Sequence, residues 1–333
     1  MRNAARVATS DMGARMIRLG LCCIFRDEPI KFRRTTAAYL QRQTREDALR
    51  HLSEIAAANA AALKAALLYC RDNGIGAFRI NSQILPLKTH PQAGYAVNDL
   101  PGHARIVADF KACGRFSRQF DIRTSFHPDQ FIVLSSPQAD VVRRSVADLV
   151  YQAEVAEWVN ADVINIHAGG AYGDKQAALG RLAAVIDSLP PAIRTRLTLE
   201  NDDRSYTPRD LLPLCERSGL PLVYDVHHHR CLPDGLSEEM VTAKALRTWD
   251  REPLFHLSSP ADGWAGSKPN RHHDFIDPAD LPVTWLKRDL TIDIEAKAKE
   301  VAVKKLLKFL NKQGAGHMTG QARGDILKRG ASR

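Results

Sequence analysis

Titratable side chains recur along this chain at the points where short apolar segments end. His127, His167 and Glu200 close three successive segments of this kind, and Asp225 follows the next one. Imidazoles and carboxylates together suit divalent cations such as Mn²⁺ or Zn²⁺, whereas a thiolate site would need clustered cysteines. Ions held by such side chains activate water and neutralise phosphate oxygens. The pattern therefore predicts a divalent-metal site with hydrolytic chemistry.

The same pattern continues in the C-terminal part of the chain. His256 lies within the apolar segment LFHLSS, and Glu295 lies near the end of LTIDIEA. The loop between these segments carries His272 and His273. Any one of these histidines, taken singly, is more often a core or loop residue than a ligand. Their recurrence at six consecutive segment ends favours one shared site, because burying so many titratable groups without a partner would be costly.

The run from His227 to His229 leaves an ambiguity, since neighbours on a strand point to opposite faces and cannot all bind one ion. If the strand continues, His227 lies on the same face as Asp225. A turn after Val226 would bring His228 round instead. The residues alone leave both arrangements open.

The elements that must position these side chains follow from an alternation of short β-branched segments and longer amphipathic ones. The sequence predicts eight strands, at 17–23, 77–80, 123–128, 163–169, 197–201, 221–227, 254–259 and 290–296. The clearest predicted helices span 44–74, 136–160 and 207–219. Eight such units without a linker favour a single (β/α)₈ TIM barrel, in which the carboxyl ends of all strands meet at one face. A doubly wound open sheet is the alternative, but LGLCCIF carries no glycine-rich phosphate turn.

Length and composition agree with one globular domain over 16–312. The chain has 333 residues, of which 44% are hydrophobic, and a net charge of +9. We expect residues 1–15 to form a flexible extension and 313–333 a basic, disordered tail. From Lys297 onward ten Lys and Arg residues face two acids, so the C-terminal region is either a solvated surface or a contact for a polyanion.

Several classes of protein are disfavoured by the same composition. The six cysteines form no CxxC pair, which favours free thiols in a reducing compartment over a disulfide framework. No apolar stretch reaches the length of a membrane span, and the first residues do not read as a secretory signal. We therefore expect a cytoplasmic protein that does not contact membranes.

Seven motifs in order resemble the UV damage endonuclease family over about residues 16–300. These are FRINSQILPLKTHP, SFHPDQF, NIHAGGAYGDK, LTLENDD, VYDVHHH, FHLSSP and IEAKAKE. The resemblance implies a xylose-isomerase-like TIM barrel related to endonuclease IV. It also implies three divalent ions, with Mn²⁺ expected and Zn²⁺ or Mg²⁺ as alternatives.

The resemblance further assigns roles to individual residues. The implied metal ligands are His127, His167, Glu200, Asp225, His228, His256, His273 and Glu295. The implied catalytic residues are His90, Glu200 and Glu295. Gln130 and Phe131 match the family's lesion-probing Gln and Tyr, and Phe131 keeps an aromatic face but lacks the hydroxyl.

Two positions depart from the family pattern. The family has a tyrosine after RLG on the first strand, where this chain has Leu21. It also has a lysine, which can be carboxylated near the metals, at the position of Leu254. Lys268 in the following loop is a conceivable replacement. These departures concern metal tuning and phosphate contacts more than hydrolysis itself.

The implied activity is incision of damaged double-stranded DNA immediately 5′ to UV photoproducts, and possible further substrates are other distorting or abasic lesions. Basic residues near the strand ends, such as Arg79, Lys88 and Lys175, are candidates for phosphate contacts. We expect a monomer that uses no nucleotide cofactor and associates with the nucleoid when bound to DNA. The alternatives are a divalent-metal sugar isomerase or epimerase of the same barrel class, and a DNA-binding relative with reduced activity.

Overall fold

The computed structural model describes residues 17–128 and 132–312, along which eight parallel strands alternate with helices in a barrel. The strands are β1 (Ile17–Cys22), β2 (Ala77–Ile80), β3 (Arg123–Phe126), β4 (Ala161–His167), β5 (Leu197–Glu200), β6 (Leu222–Val223), β7 (Leu254–Leu257) and β8 (Leu290–Ile294). Their order in the sheet is β6-β5-β4-β3-β2-β1-β8-β7. The (β/α)₈ TIM barrel predicted from the sequence is confirmed.

The helices of the described part surround this sheet. They are α1 (Ala37–Leu40), α2 (Arg45–Asp72), α3 (His103–Gln119), α4 (Ala139–Val159), α5 (Lys175–Ser188), α6 (Pro191–Arg194), α7 (Pro208–Ser218), α8 (Val226–Cys231), α9 (Glu238–Arg247) and α10 (Lys299–Lys312). Local signals in the sequence set several of their ends. The Thr44 side chain accepts from the amide of Asp47 at the start of α2. Thr207 and Asp210 form a capping box at the start of α7, and Gly219 ends it with φ at +68°.

The strands close the barrel everywhere except at one seam. Within residues 17–128 and 132–312, β6 and β7 share no ladder, and an isolated parallel bridge between Asp225 and His256 joins them. The amide of His256 donates to the carbonyl of Tyr224 at 3.0 Å beside this bridge. Both residues of the bridge are candidate metal ligands, so the seam and the candidate site share the same side chains.

Side chains alternate between the apolar layer beneath the helices and a polar barrel interior. On β1, Leu19 and Leu21 are fully buried in the apolar core. Gly20, between them, faces the interior, since a Cβ there would come within 2.1 Å of Asp293 Oδ1. At the amino-terminal end Arg123 pairs with Asp162 at 2.9 Å. The interior is therefore charged at both ends.

The sixth strand is shorter than predicted, and a helix replaces its second half. The sequence predicted strand over 221–227, whereas β6 has two residues and α8 begins at Val226. The Asp225 carboxylate accepts from the amide of His228 at 2.8 Å and so acts as the N-cap. The predicted strands at 123–128, 163–169 and 254–259 likewise end two residues too late. In each case the last predicted residues belong to the loop that leaves the barrel.

No helix in the described ranges is both long enough and apolar enough to span a bilayer. All six cysteines are free. The predicted extension at 1–15 and the predicted tail at 313–333 lie outside the described residues.

Candidate metal centre

The carboxyl ends of the strands converge on a cavity of about 640 Å³. The strands β3, β4, β5 and β8 each contribute a side chain to its wall at or just after their last residue. These side chains are His127, His167, Glu200 and Glu295, and His228 joins them from α8. The barrel thus brings together residues that are far apart in sequence.

Glu200 lies at the centre of this group, with only 1% of its surface exposed. Its Oε1 lies 3.1 Å from His256 Nδ1 and 3.4 Å from His228 Nδ1. Its Oε2 lies 3.5 Å from His127 Nδ1 and 4.0 Å from His167 Nε2. One carboxylate therefore faces four imidazoles, an arrangement that suits bridging of more than one cation.

A second carboxylate, that of Asp225, faces the same group from the β6 side. Its Oδ2 lies 3.4 Å from His228 Nδ1 and 4.0 Å from His256 Nδ1. Asn201 holds the Asp225 backbone in place, since its side chain accepts from the amide at 3.0 Å and donates to the carbonyl at 2.8 Å. Because Oδ1 caps α8, Oδ2 is the oxygen that remains for a ligand.

Glu295 completes the carboxylates, and a buried arginine accompanies it. Arg79 Nη1 donates to Glu295 Oε1 at 2.5 Å and lies 3.4 Å from His127 Nδ1. The same Oε1 lies 3.4 Å from His256 Nδ1. Arg79 was predicted as a candidate phosphate contact, but here it balances the charge of a candidate ligand.

These donor sets fit divalent cations. Three overlapping groups bring their ligand atoms within 4.8 Å of one another: His127, Glu200 and His256; Glu200, Asp225 and His228; Asp225, His256 and Glu295. Several buried atoms on these residues have no hydrogen-bond partner within 17–128 and 132–312, among them Asp225 Oδ2, His167 Nδ1 and both ring nitrogens of His256. Buried polar atoms are rarely left unpaired unless an ion or water meets them. The mixed oxygen and nitrogen donors match Mn²⁺ or Zn²⁺.

The pKa values in this group are strongly perturbed. Burial would raise the pKa of Glu200, but the charges of His256 and the neighbouring imidazoles hold it well below its usual value. Burial lowers the pKa of His127 to about 3, against the attraction of Glu200. Burial also disfavours a charge on His256, yet Glu200 and Glu295 raise its pKa to about 9. In the metal-free protein, therefore, some imidazoles carry protons that a cation must displace.

The helix α8 separates the three consecutive histidines into three roles. His228 joins the candidate centre, and its Nδ1 also lies 3.0 Å from the carbonyl of Asn201. His227 is buried behind it, with its ring centroid 5.0 Å from that of Trp264. His229 lies in a buried network, 2.8 Å from the Tyr224 hydroxyl and 3.0 Å from Asp234. The turn after Val226 thus brings His228 round to the site.

Other predicted site residues lie apart from the centre or outside the described residues. In the loop after β7, His272 lines the cavity, with Nδ1 3.8 Å from Glu295 Oε2, whereas His273 lines a separate groove. His90 is not among the cavity's lining residues, and its Nδ1 accepts from the amides of Gln92 and Ala93. Gln130 and Phe131 fall outside the described ranges. The roles assigned to these residues stay predictions.

The two residues that depart from the family pattern, Leu21 and Leu254, are both buried among apolar side chains. Leu21 is fully buried in the apolar core. Leu254, 1% exposed, packs in an apolar cluster with Val163, Val223 and Trp249. Lys268, the replacement considered from the sequence, is exposed and does not line the cavity.

Two of the predicted phosphate contacts are already paired with acids. Lys88 Nζ lies 3.7 Å from Glu154, and Lys175 Nζ lies 2.8 Å from Asp210. Two exposed residues that line the cavity are Arg204, whose side chain is 81% exposed, and Tyr172, which is 49% exposed. Tyr172 holds a left-handed backbone with φ at +51°, a strained conformation for a residue with a side chain.

Two polar residues beside the ligands were not singled out from the sequence. Asn165 donates to Glu200 Oε2 at 2.5 Å, and Asp293 lies 3.9 Å from His256 Nε2. Each precedes a candidate ligand by two positions on its strand, His167 and Glu295, respectively. Since side chains two apart share a face of a strand, this alternation is the signal that could have identified both.

Comparison with known proteins agrees with this geometry. The family model described as UV-endonuclease UvdE matches residues 17–322. A UV DNA damage endonuclease from Bacillus velezensis is 36% identical over 304 residues, covering 87% of this chain and 91% of the relative. The UV-damage endonuclease of Neurospora crassa is 32% identical and covers 81% of this chain, which spans 43% of that longer protein.

Solved structures give the same result at the level of the fold. The crystal structure of SacUVDE superposes with a TM-score of 0.81 at 28% identity, covering 90% of this chain and all of that one. Endonuclease IV from Thermus thermophilus (TM-score 0.54, 18% identity, 75% and 94% covered) shares the fold. A D-psicose 3-epimerase does so too (TM-score 0.52, 12% identity, 76% and 94% covered). On the strength of the family match and its relatives, this chain belongs to the UV-endonuclease UvdE family.

Proposed function

We propose that this chain is a metal-dependent DNA repair endonuclease that cuts a damaged duplex immediately 5′ to UV photoproducts. The observation that carries the proposal is the convergence of four imidazoles and two further carboxylates around Glu200 in a chain of this family. When bound, divalent ions would activate water and neutralise the scissile phosphate and the leaving 3′ oxygen. We propose three ions, with Mn²⁺ first and Zn²⁺ or Mg²⁺ as alternatives.

The chain's own residues would divide the work as follows. Glu200 would hold ions through both of its oxygens, which face different histidines. Asp225 would offer Oδ2, since Oδ1 is engaged as a helix cap. Glu295 would be a further carboxylate ligand, and Arg79, which pairs with it beside the cavity, would be placed to donate to a phosphate oxygen. His272 is proposed as the loop histidine of the centre because it faces Glu295, in the place that the resemblance gives to His273.

Damage recognition would rest on deformability of the duplex more than on base identity. A lesion lowers the cost of kinking DNA and of moving nucleotides out of the stack. Gln130 and Phe131 are proposed to probe the lesion, and an aromatic face at position 131 can stack in a distorted duplex. Replacing Phe131 with Tyr should preserve incision, whereas Phe131→Ala should reduce discrimination between damaged and undamaged DNA.

Nicking of a labelled duplex that carries one cyclobutane dimer tests the main proposal. Matched duplexes that are undamaged or contain an abasic site serve as controls, and each is incubated with Mn²⁺ or EDTA. We expect Mn²⁺-dependent incision directly 5′ to the dimer and loss of incision in Glu200→Gln. Cutting at the abasic site alone would change the substrate. If metal-loaded protein cuts none of the duplexes, the nuclease proposal is contradicted. Sugar isomerisation would then be favoured, a reaction of epimerases with which this chain shares only the fold.

His90 is proposed as a catalytic histidine that does not bind metal. Its Nδ1 is engaged by two backbone amides, so Nε2 is the nitrogen left for substrate. His90→Ala should therefore keep the Mn²⁺ affinity of the parent while lowering the nicking rate. An unchanged nicking rate would reduce His90 to a turn-stabilising residue.

The remaining proposals concern the state of the protein. We propose a monomer with one catalytic domain over 16–312, which acts in the cytoplasm and on the nucleoid without a nucleotide cofactor. Light scattering of the purified protein tests the monomer, and nicking without added nucleotide tests the last point.

A further inference from the structure

A carboxylate in the barrel interior lacks a conventional partner. Asp293 lies on β8 with 1% of its surface exposed, and neither of its side-chain oxygens has a hydrogen-bond partner in the described part of the chain. Burying a carboxylate that makes no hydrogen bond is unfavourable. An unfavourable group at this position raises the question of what it acts on.

This carboxylate lies beside a candidate ligand. His256 Nε2 lies 3.9 Å from Asp293 Oδ2, and among the described residues this nitrogen has no hydrogen-bond partner either. The other ring nitrogen, Nδ1, faces the opposite way, 3.1 Å from Glu200 Oε1 and 3.4 Å from Glu295 Oε1. His256 therefore has one nitrogen toward the metal-binding carboxylates and the other toward Asp293.

The backbone around Asp293 leaves room for its side chain. On the neighbouring strand, Gly20 pairs with Asp293 in register, and a Cβ at Gly20 would come within 2.1 Å of Asp293 Oδ1. Below His256 on β7, Leu254 is apolar and packs with Val163 and Val223. In this part of the interior, Asp293 is therefore the acid that the Nε2 side of His256 faces.

We propose that Asp293 is a positioning residue that fixes the tautomer of His256, holding its proton on Nε2 so that the Nδ1 lone pair is free for a metal ion. Metal-ligating histidines commonly place their second ring nitrogen against a carboxylate, which sets the tautomer and strengthens the ligand. At 3.9 Å the effect is electrostatic, since the distance exceeds that of a hydrogen bond. The proposal rests on the metal centre of the proposed function but not on the nuclease reaction.

Two measurements on Asp293→Leu should change in opposite directions. We expect Mn²⁺ affinity, measured by titration, to fall about 10- to 100-fold, the usual effect of losing such a partner. The melting temperature of the metal-free protein should rise, because a buried carboxylate that makes no hydrogen bond with the described residues has been removed. Asp293→Asn keeps the shape and an acceptor oxygen, so its loss of affinity should be smaller than that of the leucine variant.

Thr291→Val serves as the matched control on the same strand. Its hydroxyl donates to Glu252 at 2.5 Å and accepts from Arg123 at 3.1 Å, away from His256. This variant should lower the melting temperature and keep the Mn²⁺ affinity of the parent. It separates a general loss of interior order from a specific effect on the centre.

Nitrogen-15 spectra of the Zn²⁺-loaded protein report the tautomer directly. The His256 signal is identified by its absence in His256→Gln, and we expect the Nε2–H form in the parent and a mixture in Asp293→Leu. The proposal is overturned if Asp293→Leu binds Mn²⁺ within twofold of the parent. If Asp293→Leu does not fold, the same criterion applies to Asp293→Asn. It is also overturned if affinity and metal-free stability fall together. A parent that binds Mn²⁺ without nicking DNA would instead contradict only the proposed function.

Discussion

The residues of the centre balance their charges with protons and one arginine when no cation is bound. Glu200 and Glu295 remain ionised because imidazoles and Arg79 surround them, and they in turn favour the charged form of His256. A bound metal ion would take over that balancing role. Binding would therefore release protons, and the affinity of the centre would depend on pH.

The first prediction concerns this proton release. His256, with a pKa of about 9, is protonated at neutral pH and must lose its proton to ligate. We expect apparent Mn²⁺ affinity to rise as the pH increases from 6.5 toward 9. Calorimetry at pH 7 in buffers of different ionisation enthalpy should detect protons leaving the protein. A pH-independent affinity with no proton release would contradict the charge assignment.

The stability of the metal-free protein should fall as the pH rises, whereas the Mn²⁺ affinity should increase. The folded pKa of His256 lies above the unfolded value of about 6.5, so its stabilising contribution is complete below that pH and is lost as the pH rises through 9. Urea unfolding of EDTA-treated protein across this range measures the loss. His256→Gln should reduce this part of the pH dependence.

Two adjacent histidines of the loop after β7 should behave differently. His272 faces Glu295, whereas His273 Nδ1 accepts from the amide of Phe275 at 2.9 Å. We expect His272→Ala to lower metal content or affinity and the nicking rate, and His273→Ala to change loop stability more than metal binding. Elemental analysis of the two purified variants provides the comparison. The reverse result would support His273 as the loop ligand, as the resemblance implies.

At the scale of elements, the junction between β6 and α8 matters most. Asp225 follows β6 by two residues, caps α8 and has its second oxygen toward the centre. The helix it starts then brings His228 into the site and turns His229 away. A single residue therefore links local helix formation to the geometry of the centre.

Substitutions at Asp225 should separate its two roles. Asparagine caps a helix about as well as aspartate, whereas alanine does not, a difference typically of about 1 kcal/mol in unfolding free energy. Both Asp225→Asn and Asp225→Ala should bind Mn²⁺ poorly, since each lacks the carboxylate. In the metal-free state, however, Asp225→Ala should be the less stable by about that amount. Equal unfolding free energies would mean that the cap contributes little.

The sequence predicted the barrel and the place of all eight strands because apolar alternation is a local signal, but five of the eight predicted strands run at least two residues past the observed end. It did not predict the early start of α8, since a β-branched residue before three histidines reads equally well as strand. For the loop after β7 the resemblance implies His273, and the residues alone cannot show which of His272 and His273 faces the cavity, because a loop's direction depends on tertiary contacts such as the bond from the His273 amide to the carbonyl of Ser259. The sequence did not predict Asp293 as a site residue, because it lies within a strand, whereas the predicted ligands lie at strand ends.

At the scale of the whole molecule, the charge of the C-terminal segment can be tested without altering the barrel. Residues 313–333 carry four Arg or Lys residues and one Asp, a net charge of +3. If these charges contact phosphates, the DNA affinity of a chain ending at residue 312 should depend less on salt concentration. Each phosphate contact contributes about 0.9 to the slope of log K against log salt, so the magnitude of that slope should decrease by up to about 3. Damaged and undamaged duplexes should weaken equally.

An unchanged salt slope in that truncated chain would make the segment a solvated surface. The ratio of nicking on damaged and undamaged duplexes provides the internal control. That ratio should not change, because a non-specific phosphate contact carries no information about the lesion.

The seam between β6 and β7 should make the lifetime of the protein in a cell depend on bound metal. Asp225 and His256 form the isolated bridge across that seam, and both belong to one candidate metal group with Glu295. A cation bound by both residues would link β6 and β7, which are otherwise joined by this isolated bridge. Metal starvation should therefore expose the segment around α8 to proteases before the rest of the barrel opens. Such selective degradation would remove inactive copies, so that the amount of repair protein would follow the supply of its metal.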